Sequence, residues 1–441
     1  MTLILLFISI FLLLIISLMI FKGDLINPGV IISIVFLATT LCALYNINLW
    51  KINLQPITYI VIMSGIVLFM TVSFFTSASV QKYKVKHFNV TEVKEIKIPK
   101  FQHFFSIFFS AITGIYYVRE VIRISRSVGG GGSWSRIMYY YRQATSYGVV
   151  GDDVGMSGLA GHMYDFMVAI SYIYLFIIIN NLFIKKNKFD KTLLIPIIIC
   201  CVTTFLSAAR IQLLYFAMAA IVYYFVISFW RTGESKLEMR SLLKIISFIV
   251  VIFAIFVSLR SVIGRGLSEK SSEDPLYYFT VYAGGPIPLL DDFLKSPPPP
   301  SEVFGKELFF RLNRFIGGVF DRKDLIYISH KEFRYASTGY SLGNVYTAFR
   351  SYIYDFGFLG FILFTSVTSF FYSFFYTWVK YTIPKVKVPT TIIIYAYIVS
   401  GVFLMSISER LFSIYFSVNS LKLMLFIYFA NVFLTRIKIK I

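Results

Sequence analysis

Arginine is the residue type whose placement in this sequence first suggests chemistry. A guanidinium group is planar, stays charged when partly dehydrated and binds phosphate at two points. Arg210 lies in a short turn between two apolar segments, and Arg350 lies in a polar run before a third. Snorkelling of Arg210 to lipid headgroups and ordinary salt bridges to carboxylates are the open alternatives. We predict that both residues contact phosphate, together with Arg260, Arg265, Arg311 and Arg314.

A second group of candidates combines tyrosines with carboxylates between residues 273 and 293. Aromatic rings stack on the apolar faces of sugars, and carboxylates accept hydrogen bonds from sugar hydroxyls. Tyr278 is therefore a predicted sugar contact. Asp291, or its neighbour Asp292, is the predicted general base for an acceptor hydroxyl. The alternatives are a loop packed by its own aromatic rings and carboxylates that pair with arginine.

The run from Thr338 to Gly357 is the most distinctive stretch of the chain. If it is helical, Tyr346 and Arg350 lie on one face at a spacing of four residues. Asp355 then enters an apolar segment, where a carboxylate is costly and is a functional candidate by default. A buried salt bridge from Asp355 to Arg350 or Arg210 is the open alternative.

Several familiar motifs are absent. The sequence has no phosphate-loop motif, so the four consecutive glycines at 129–132 are predicted to form a hinge instead. No zinc-protease, Cys-x-x-Cys, Gly-x-Ser-x-Gly or Asp-x-Asp pattern occurs, and the three cysteines lie inside apolar segments. We therefore expect no metal site and no cofactor. The formal charge of +20 is spread over short loops, which favours phospholipid or a phosphate-bearing substrate over nucleic acid.

The candidate arginines, tyrosines and carboxylates lie between long apolar segments of the chain. The chain is 57% hydrophobic and 15% charged over 441 residues, far from the composition of a water-soluble protein. A helix needs roughly 20 apolar residues to cross a bilayer. The first segment lacks the basic start and cleavage site of a signal peptide, so we expect it to be retained. About eleven spans are predicted, at residues 2–21, 28–49, 56–77, 101–118, 164–184, 192–209, 211–230, 245–263, 356–379, 388–407 and 412–434.

The loops predict one orientation in the membrane. Five segments are basic, at 82–100, 185–191, 231–244, 380–387 and 436–440, and all of them fall on the same side if there are eleven spans. The positive-inside rule makes that side cytoplasmic. The N-terminus is then outside and the C-terminus is cytoplasmic. Residues 1–441 form a single membrane domain with two extracytoplasmic loops, at 119–163 and 264–355. Lysine dominates the predicted inner side and arginine the outer side, which points to a pyrophosphate- and glycan-handling outer surface.

This layout and the polar run resemble the bacterial O-antigen and oligosaccharide repeat-unit polymerases of the Wzy type. Members share an Asn-x-Tyr-Thr-x-x-Arg run followed by Asp-Phe-Gly and a membrane span. The residues that match are Asn344, Tyr346, Thr347, Arg350, Asp355, Phe356 and Gly357, with a turn at 207–210 and a Pro-to-Asp element at 288–291. The resemblance covers most of the chain in topology and about thirty residues in motif.

The resemblance implies an all-α polytopic GT-C-like glycosyltransferase of the bacterial inner membrane, without a metal. Its substrates are undecaprenyl-pyrophosphate-linked glycans, its surroundings are membrane lipids, and a chain-length regulator and a flippase are possible partners. It implies catalytic roles for Arg210, Arg350 and Asp291. It also implies substrate binding by the other arginines named above and by Asn344, Tyr346, Asp355 and Tyr278. The product is an O-antigen of lipopolysaccharide or a capsule.

Two other functions fit the sequence. An O-antigen ligase or another lipid-linked glycosyltransferase uses the same donor chemistry; the related ligases pair arginine with a histidine, a role to which His330 does not align clearly. A repeat-unit transporter or flippase belongs to a different class. It predicts charges in the middle of spans and repeat symmetry, whereas here most charges lie in loops or near span ends.

Overall fold

The structure is a computed structural model, and it describes residues 1–84, 94–147, 156–185, 190–207, 211–235, 275–327, 330–382 and 388–437. In the described part of its first half, the chain forms nine helices: α1 (Thr2–Ile20), α2 (Pro28–Tyr45), α3 (Ile47–Trp50), α4 (Pro56–Lys84), α5 (Lys100–Ser127), α6 (Trp134–Tyr147), α7 (Gly158–Lys185), α8 (Ile195–Leu206) and α9 (Ile211–Thr232). The second half forms α10 (Pro275–Gly284), α11 (Pro286–Lys295), α12 (Phe310–Val319), strands β1 (Arg334–Tyr335) and β2 (Ser341–Gly343), then α13 (Ala348–Lys380), α14 (Thr390–Ile398), α15 (Ser400–Phe403) and α16 (Val418–Thr435). Single turns of 3₁₀ helix lie at Lys191–Leu194 and Lys323–Leu325, and a π-helical turn lies at Leu411–Tyr415.

Within these described ranges, eight helices are long and apolar enough to cross a membrane. They are α1, α2, α4, α5, α7, α9, α13 and α16. Two shorter apolar helical stretches, Lys191–Leu206 and Thr390–Phe403, occupy the predicted spans 192–209 and 388–407. The predicted span 245–263 lies outside the described residues. The chain therefore has the architecture of an all-α polytopic membrane protein, and the number eleven stays a prediction.

Helices α4 and α13 form a parallel pair that runs the length of the bundle. Three hydrogen bonds link them: Ser369 to the Phe69 carbonyl at 2.6 Å, Ser373 to Ser73 at 2.8 Å and Thr377 to Ser77 at 3.2 Å. Each joins residues 300 positions apart, so the two helices run in the same direction without a register change. Small hydroxyl side chains let membrane helices approach closely and bond across the contact.

This pair defines two ends of the bundle. At the Arg350 end, α4 and α13 begin; at the Lys380 end, both finish. The Lys380 ammonium is buried and donates to the Asp24 carboxylate between α1 and α2, and it also donates to Ser235 after α9 at 2.7 Å. Tyr376 donates to the same aspartate at 2.8 Å. These contacts tie three parts of the chain together at the Lys380 end.

The segment 275–347 covers the Arg350 end. It contains α10, α11, α12 and a small antiparallel hairpin in which Arg334 pairs with Gly343. The segment is anchored where α10 ends, because a Cβ atom on Gly284 would lie 2.6 Å from the Ala43 nitrogen and from the Cys42 carbonyl carbon of α2. Only glycine leaves room for this approach of two backbones.

The first predicted outer loop, 119–163, is largely helical in the residues that the structure describes, 119–147 and 156–163. Helix α5 continues to Ser127, α6 occupies the middle of the loop, and α7 begins at Gly158. The predicted glycine hinge separates α5 from α6, and Gly129 and Gly132 there have φ angles of 86° and 79°. The chain thus turns between two helices at glycines that tolerate this backbone conformation.

Candidate functional site

The site is built around Arg350, which lies in the first turn of α13. Its side chain is 1% exposed, and its two terminal nitrogens each bind a glutamate: Glu307 at 2.5 Å and Glu332 at 2.6 Å. Its guanidinium also lies over the Tyr346 ring, 4.2 Å from the ring centre. The predicted proximity of Tyr346 and Arg350 is present, although Tyr346 precedes the helix. Both terminal nitrogens of Arg350 are occupied by carboxylates of the protein.

Glu307 is the shared anion of this cluster. Besides Arg350, it accepts from Ser351 at 2.8 Å and pairs with Lys331 at 3.2 Å. Burial alone would raise the pKa of Glu307, but the charges of Lys331 and Arg350 outweigh it and leave the pKa below its usual range. Burial lowers the pKa of Lys331. The nearby charge of Glu307 raises this pKa in part, and the charge of Arg350 lowers it further. The cluster is thus an internally neutralised network of charges.

A second cation, Arg334, extends the network along β1. It pairs with Glu332 at 3.1 Å and donates to the Ser296 carbonyl at 2.7 Å and to the Asp292 carbonyl, at the end of α11. Burial raises the pKa of the Asp292 carboxyl, against the opposing charge of Lys295. That carboxyl is one-third exposed and lies 4.0 Å from the Lys295 ammonium. Asp292 is therefore an accessible carboxylate with a pKa shifted toward neutrality.

Its neighbour Asp291, the predicted general base, lies in a different environment. Its side chain is 3% exposed and accepts from the backbone N–H of Gln55 at 2.8 Å and from the Thr58 hydroxyl at 2.5 Å, and it also pairs with Lys295. These contacts tie α11 to the start of α4. With its oxygens bonded to three donors and screened from solvent, Asp291 serves the packing of α11, and its role as a base stays a prediction.

Asp355 does not form the salt bridge to Arg350 that the sequence left open. Its carboxylate accepts from the backbone amides of Glu307, at 3.0 Å, and Leu308, at 2.8 Å. Two residues later, Gly357 interrupts α13 with a φ of 65° and a ψ of −162°. A residue with a side chain is strained there. The Asp-Phe-Gly run thus breaks the helix where the predicted span begins, and it fixes the backbone that carries Glu307.

Arg311 and Arg314 differ from the buried Arg350, because both are exposed on α12. No carboxylate pairs with either of them in the described part of the chain. Phe315 and Val319 are also exposed on this helix, at 47% and 58%. A short helix that shows arginine and large apolar side chains together suits the interface between a bilayer and water. These two arginines can reach an anionic ligand without breaking an existing ion pair.

A third such arginine, Arg410, was not singled out from the sequence. It is half-buried between α15 and the π-helical turn, donates to the Tyr215 hydroxyl, and donates to Ser408 at 3.0 Å. Its guanidinium carbon lies 5.5 Å from the centre of the Tyr215 ring. Arg410 is therefore held by neutral hydroxyl and aromatic groups of α9 and the neighbouring turn.

The remaining predicted residues are distributed unevenly. Tyr278 is buried, with its ring 5.0 Å from that of Tyr282, and Asn344 is half-buried after β2. Tyr278 therefore fits the alternative, a loop packed by its own aromatic rings, better than it fits an exposed sugar contact. Three predicted phosphate ligands lie outside the described residues, namely Arg210, Arg260 and Arg265. Helix α9 begins at Ile211, four residues before Tyr215, so its start lies on the Arg410 side of the site.

Four charged partners of the site were missed in the sequence: Glu307, Lys331, Glu332 and Glu409. Glu409 is 6% exposed and caps the π-helical turn by accepting from the amides of Phe412 and Ser413, each at 2.8 Å. Burial raises its pKa. These residues lie in irregular segments without helical or strand periodicity, so no local pattern marks them.

Comparisons with protein-family models, with curated proteins and with solved structures found no match to this chain.

The contrast between Asp291 and Asp292 gives a prediction about the base. In the glycosyl transfer that the sequence predicts, Asp292→Asn is expected to abolish activity with little change in unfolding, because a neutral amide cannot accept the proton of a hydroxyl. Asp291→Asn is expected to lower the free energy of unfolding by about 1–3 kcal/mol, because it weakens buried hydrogen bonds. Thermal unfolding in detergent and the transfer rate, measured on both variants, check this. An inactive, fully stable Asp291→Asn protein would reverse the assignment.

The raised pKa of the Asp292 carboxyl also predicts how the rate of this expected reaction depends on pH. A base works only when deprotonated, so the rate falls as the pH is lowered through this pKa, at a higher pH than for an ordinary aspartate. The residual rate of Asp292→Asn should not show that limb. Initial rates measured across the acidic range for the wild type and both variants provide the readout.

Proposed function

We propose that this chain polymerises undecaprenyl-pyrophosphate-linked oligosaccharide repeat units into O-antigen or capsular polysaccharide. The observation that carries the proposal is a set of arginines without a carboxylate partner among the described residues, Arg311, Arg314 and Arg410, beside a charged network at one end of a membrane bundle. The run from Asn344 to Gly357, which resembles the motif of the Wzy-type polymerases, lies within that network.

In the proposed reaction, the bond between the anomeric carbon of the growing glycan and a pyrophosphate oxygen breaks. A hydroxyl of the end sugar on the next lipid-linked unit forms the new glycosidic bond, and its proton passes to a carboxylate. Undecaprenyl pyrophosphate leaves as an anion, which positioned guanidinium groups stabilise. Both substrates are anchored in the same membrane, which supplies much of their proximity.

The geometry divides the arginines between two roles. Arg350 is enclosed by Glu307 and Glu332 and would hold the site together as a positioning residue. Arg311, Arg314 and Arg410 have no carboxylate partner in the described ranges and would contact the pyrophosphate. Asp292 would accept the proton. Arg210, Arg260 and Arg265 keep their predicted roles as phosphate ligands.

The finer features of the fold belong to the same proposal. They are eleven spans, a GT-C-like arrangement, a bacterial inner membrane location, and a C-terminus in the cytoplasm with the N-terminus outside. Under this orientation the Arg350 end faces outward, where lipid-linked repeat units would meet. The Lys380 end then faces the cytoplasm.

The test is reconstitution of the purified protein in liposomes that contain a lipid-linked repeat unit, followed by gel analysis of glycan length. A ladder of multiples is the expected product. The double variant Arg311→Gln/Arg314→Gln is expected to lower the rate of elongation on the order of 10²-fold, because donors to the leaving anion are removed. Arg311→Lys/Arg314→Lys should recover part of this loss, since it keeps the charge without the two-point contact.

Arg322→Gln is the matched control. Arg322 is also exposed in the same segment, but it pairs with Asp324 at 2.7 Å, and its replacement should leave the ladder unchanged. Transfer of a single repeat to a lipid core or protein acceptor would favour a ligase. Movement of the lipid across the bilayer without a change in glycan length would contradict both enzyme functions.

A further inference from the structure

A groove of about 440 Å³ lies between α4 and α13 near the Lys380 end, away from the charged site. Its walls are almost entirely apolar and include Phe75 and Val80 of α4 with Phe370, Phe374 and Trp378 of α13. Phe75, Phe374 and Trp378 are 64%, 40% and 39% exposed, on the outside of two helices long and apolar enough to cross a membrane. The groove therefore opens toward the surroundings of the bundle, where lipid chains lie.

One wall of the groove is a row of stacked rings. Phe370 stacks on Phe374 with their centres 5.9 Å apart, and Phe374 stacks on Trp378 at 5.8 Å. The three residues are spaced by four, so they form a continuous strip parallel to the helix axis. A strip of this shape fits a linear hydrocarbon chain lying along the helix better than it fits a compact ligand.

A cation closes one end of this strip. The Lys84 ammonium, on the last residue of α4, lies 3.6 Å from the centre of the Trp378 ring. No carboxylate pairs with Lys84 in the part of the chain that the structure describes. A Lys over a Trp face is held in place by the cation–π attraction and keeps its hydrogen-bond donors for a further ligand.

We infer that this groove is a binding site for an anionic phospholipid of the bilayer. One acyl chain lies along the Phe370–Phe374–Trp378 strip, and the phosphate of the headgroup contacts Lys84. The apolar walls and the length of the strip match the acyl chain of such a lipid, and the cation at its end matches the phosphate. Basic pockets between membrane helices commonly bind anionic headgroups in this way.

The site is independent of the proposed glycosyl transfer, because it lies at the other end of the α4–α13 pair. A lipid in the groove contacts both helices beside the buried seam of hydroxyl contacts between them. Occupancy of the groove would thus stabilise the pairing of α4 with α13, which carries Arg350 at its far end.

The experiment measures lipid retention by native mass spectrometry after the protein is transferred from nanodiscs of equal phosphatidylglycerol and phosphatidylcholine into detergent. The wild type is expected to retain phosphatidylglycerol selectively. Lys84→Gln should lower this retention at least several-fold, and Trp378→Ala should do the same by removing the end of the strip. Lys84→Arg should retain the lipid, which shows that a loss in Lys84→Gln does not come from misfolding.

Lys82→Gln is the matched control, because Lys82 is exposed two residues away and does not line the groove. It removes the same charge from the same helix end and should leave retention unchanged. Equal losses in Lys82→Gln and Lys84→Gln would mean diffuse electrostatic attraction and would overturn the site. So would equal retention of phosphatidylcholine, or displacement of the phospholipid by an equimolar polyprenyl phosphate.

Discussion

Replacing Arg350 with methionine is expected to lower the free energy of unfolding by about 3 kcal/mol and to abolish transfer. Removing one member of a buried ion pair typically costs about 3–5 kcal/mol, because the partner charge stays buried without compensation. The lower end applies here, since Glu307 keeps Lys331 and Glu332 keeps Arg334. Unfolding in mixed micelles, followed by intrinsic fluorescence, gives the stability, and the ladder assay gives the activity.

Two further variants separate charge from geometry at this position. Arg350→Lys should fall between wild type and Arg350→Met, because one ammonium cannot reach two carboxylates in the way that a guanidinium fork does. Combining Arg350→Met with Glu307→Gln should cost less than the sum of the single changes, by about 0.5–3 kcal/mol, because the ion pair between the two residues is already lost in either single variant.

The exposed pair of Arg322 and Asp324 provides the control for this series. Both side chains are more than half exposed, and they contact each other at 2.7 Å. Like the contacts of Arg350, this is a guanidinium–carboxylate pair. Arg322→Gln should leave the unfolding midpoint unchanged, because exposed ion pairs contribute little. If Arg350→Met unfolds at the same midpoint as Arg322→Gln, the network around Arg350 does not hold the site together.

The membrane helices could be predicted from the sequence because their signal is continuous. A run of about 20 apolar residues has few alternatives to a helix that crosses the bilayer. The helix ends were harder to predict. Helix α5 continues to Ser127 through arginine and glutamate residues, since Glu120 and Arg123 pair within the helix at 2.9 Å. A polar sequence was expected to be a loop, but the charges are satisfied inside the helix.

Around Arg350, the sequence predicted only a local contact. The spacing of four residues placed Tyr346 beside Arg350, and this contact is present although Tyr346 precedes α13. The partners of Arg350 could not be found this way, because Glu307 and Glu332 are 43 and 18 residues away in segments without periodicity. Only the packing of α12 and the β-hairpin over the start of α13 brings them together.

The two neighbouring aspartates show why residue type alone does not assign a role. Asp291 and Asp292 are consecutive on α11, so a helix directs them to different sides. One side meets Gln55 and Thr58 at the start of α4, and the other is open to solvent near Lys295. Their environments depend on which face of α11 packs against the bundle, which the sequence of this segment does not reveal.

That packing depends on Gly284, and its replacement is the second large expected effect. Gly284→Ala would place a methyl carbon 2.6 Å from backbone atoms of Ala43 and Cys42 in α2. Ala43 is fully buried in the core, and helix backbone cannot move aside as a flexible side chain can. We expect α10 to be displaced from α2, with a loss of about 1–3 kcal/mol in unfolding free energy.

The displacement of α10 should also lower the rate of the proposed transfer. Helix α11 follows α10 directly, so a shift of α10 moves Asp291 away from Gln55 and Thr58 and carries Asp292 with it. Transfer should therefore fall more steeply than stability, in contrast to a change that only loosens the core. The matched control is Gly318→Ala in α12, where a Cβ atom meets nothing within 4 Å.

Gly318→Ala should be neutral or stabilising by up to about 1 kcal/mol, because alanine loses less conformational entropy than glycine in a helix. Both variants add one methyl group to a helical glycine of the same segment, so only the neighbouring atoms differ. Unfolding midpoints and elongation rates measured in parallel decide the outcome. If the two variants behave alike, α10 does not approach α2 as closely as described, and the position of α11 must be fixed by its contacts with α4 instead.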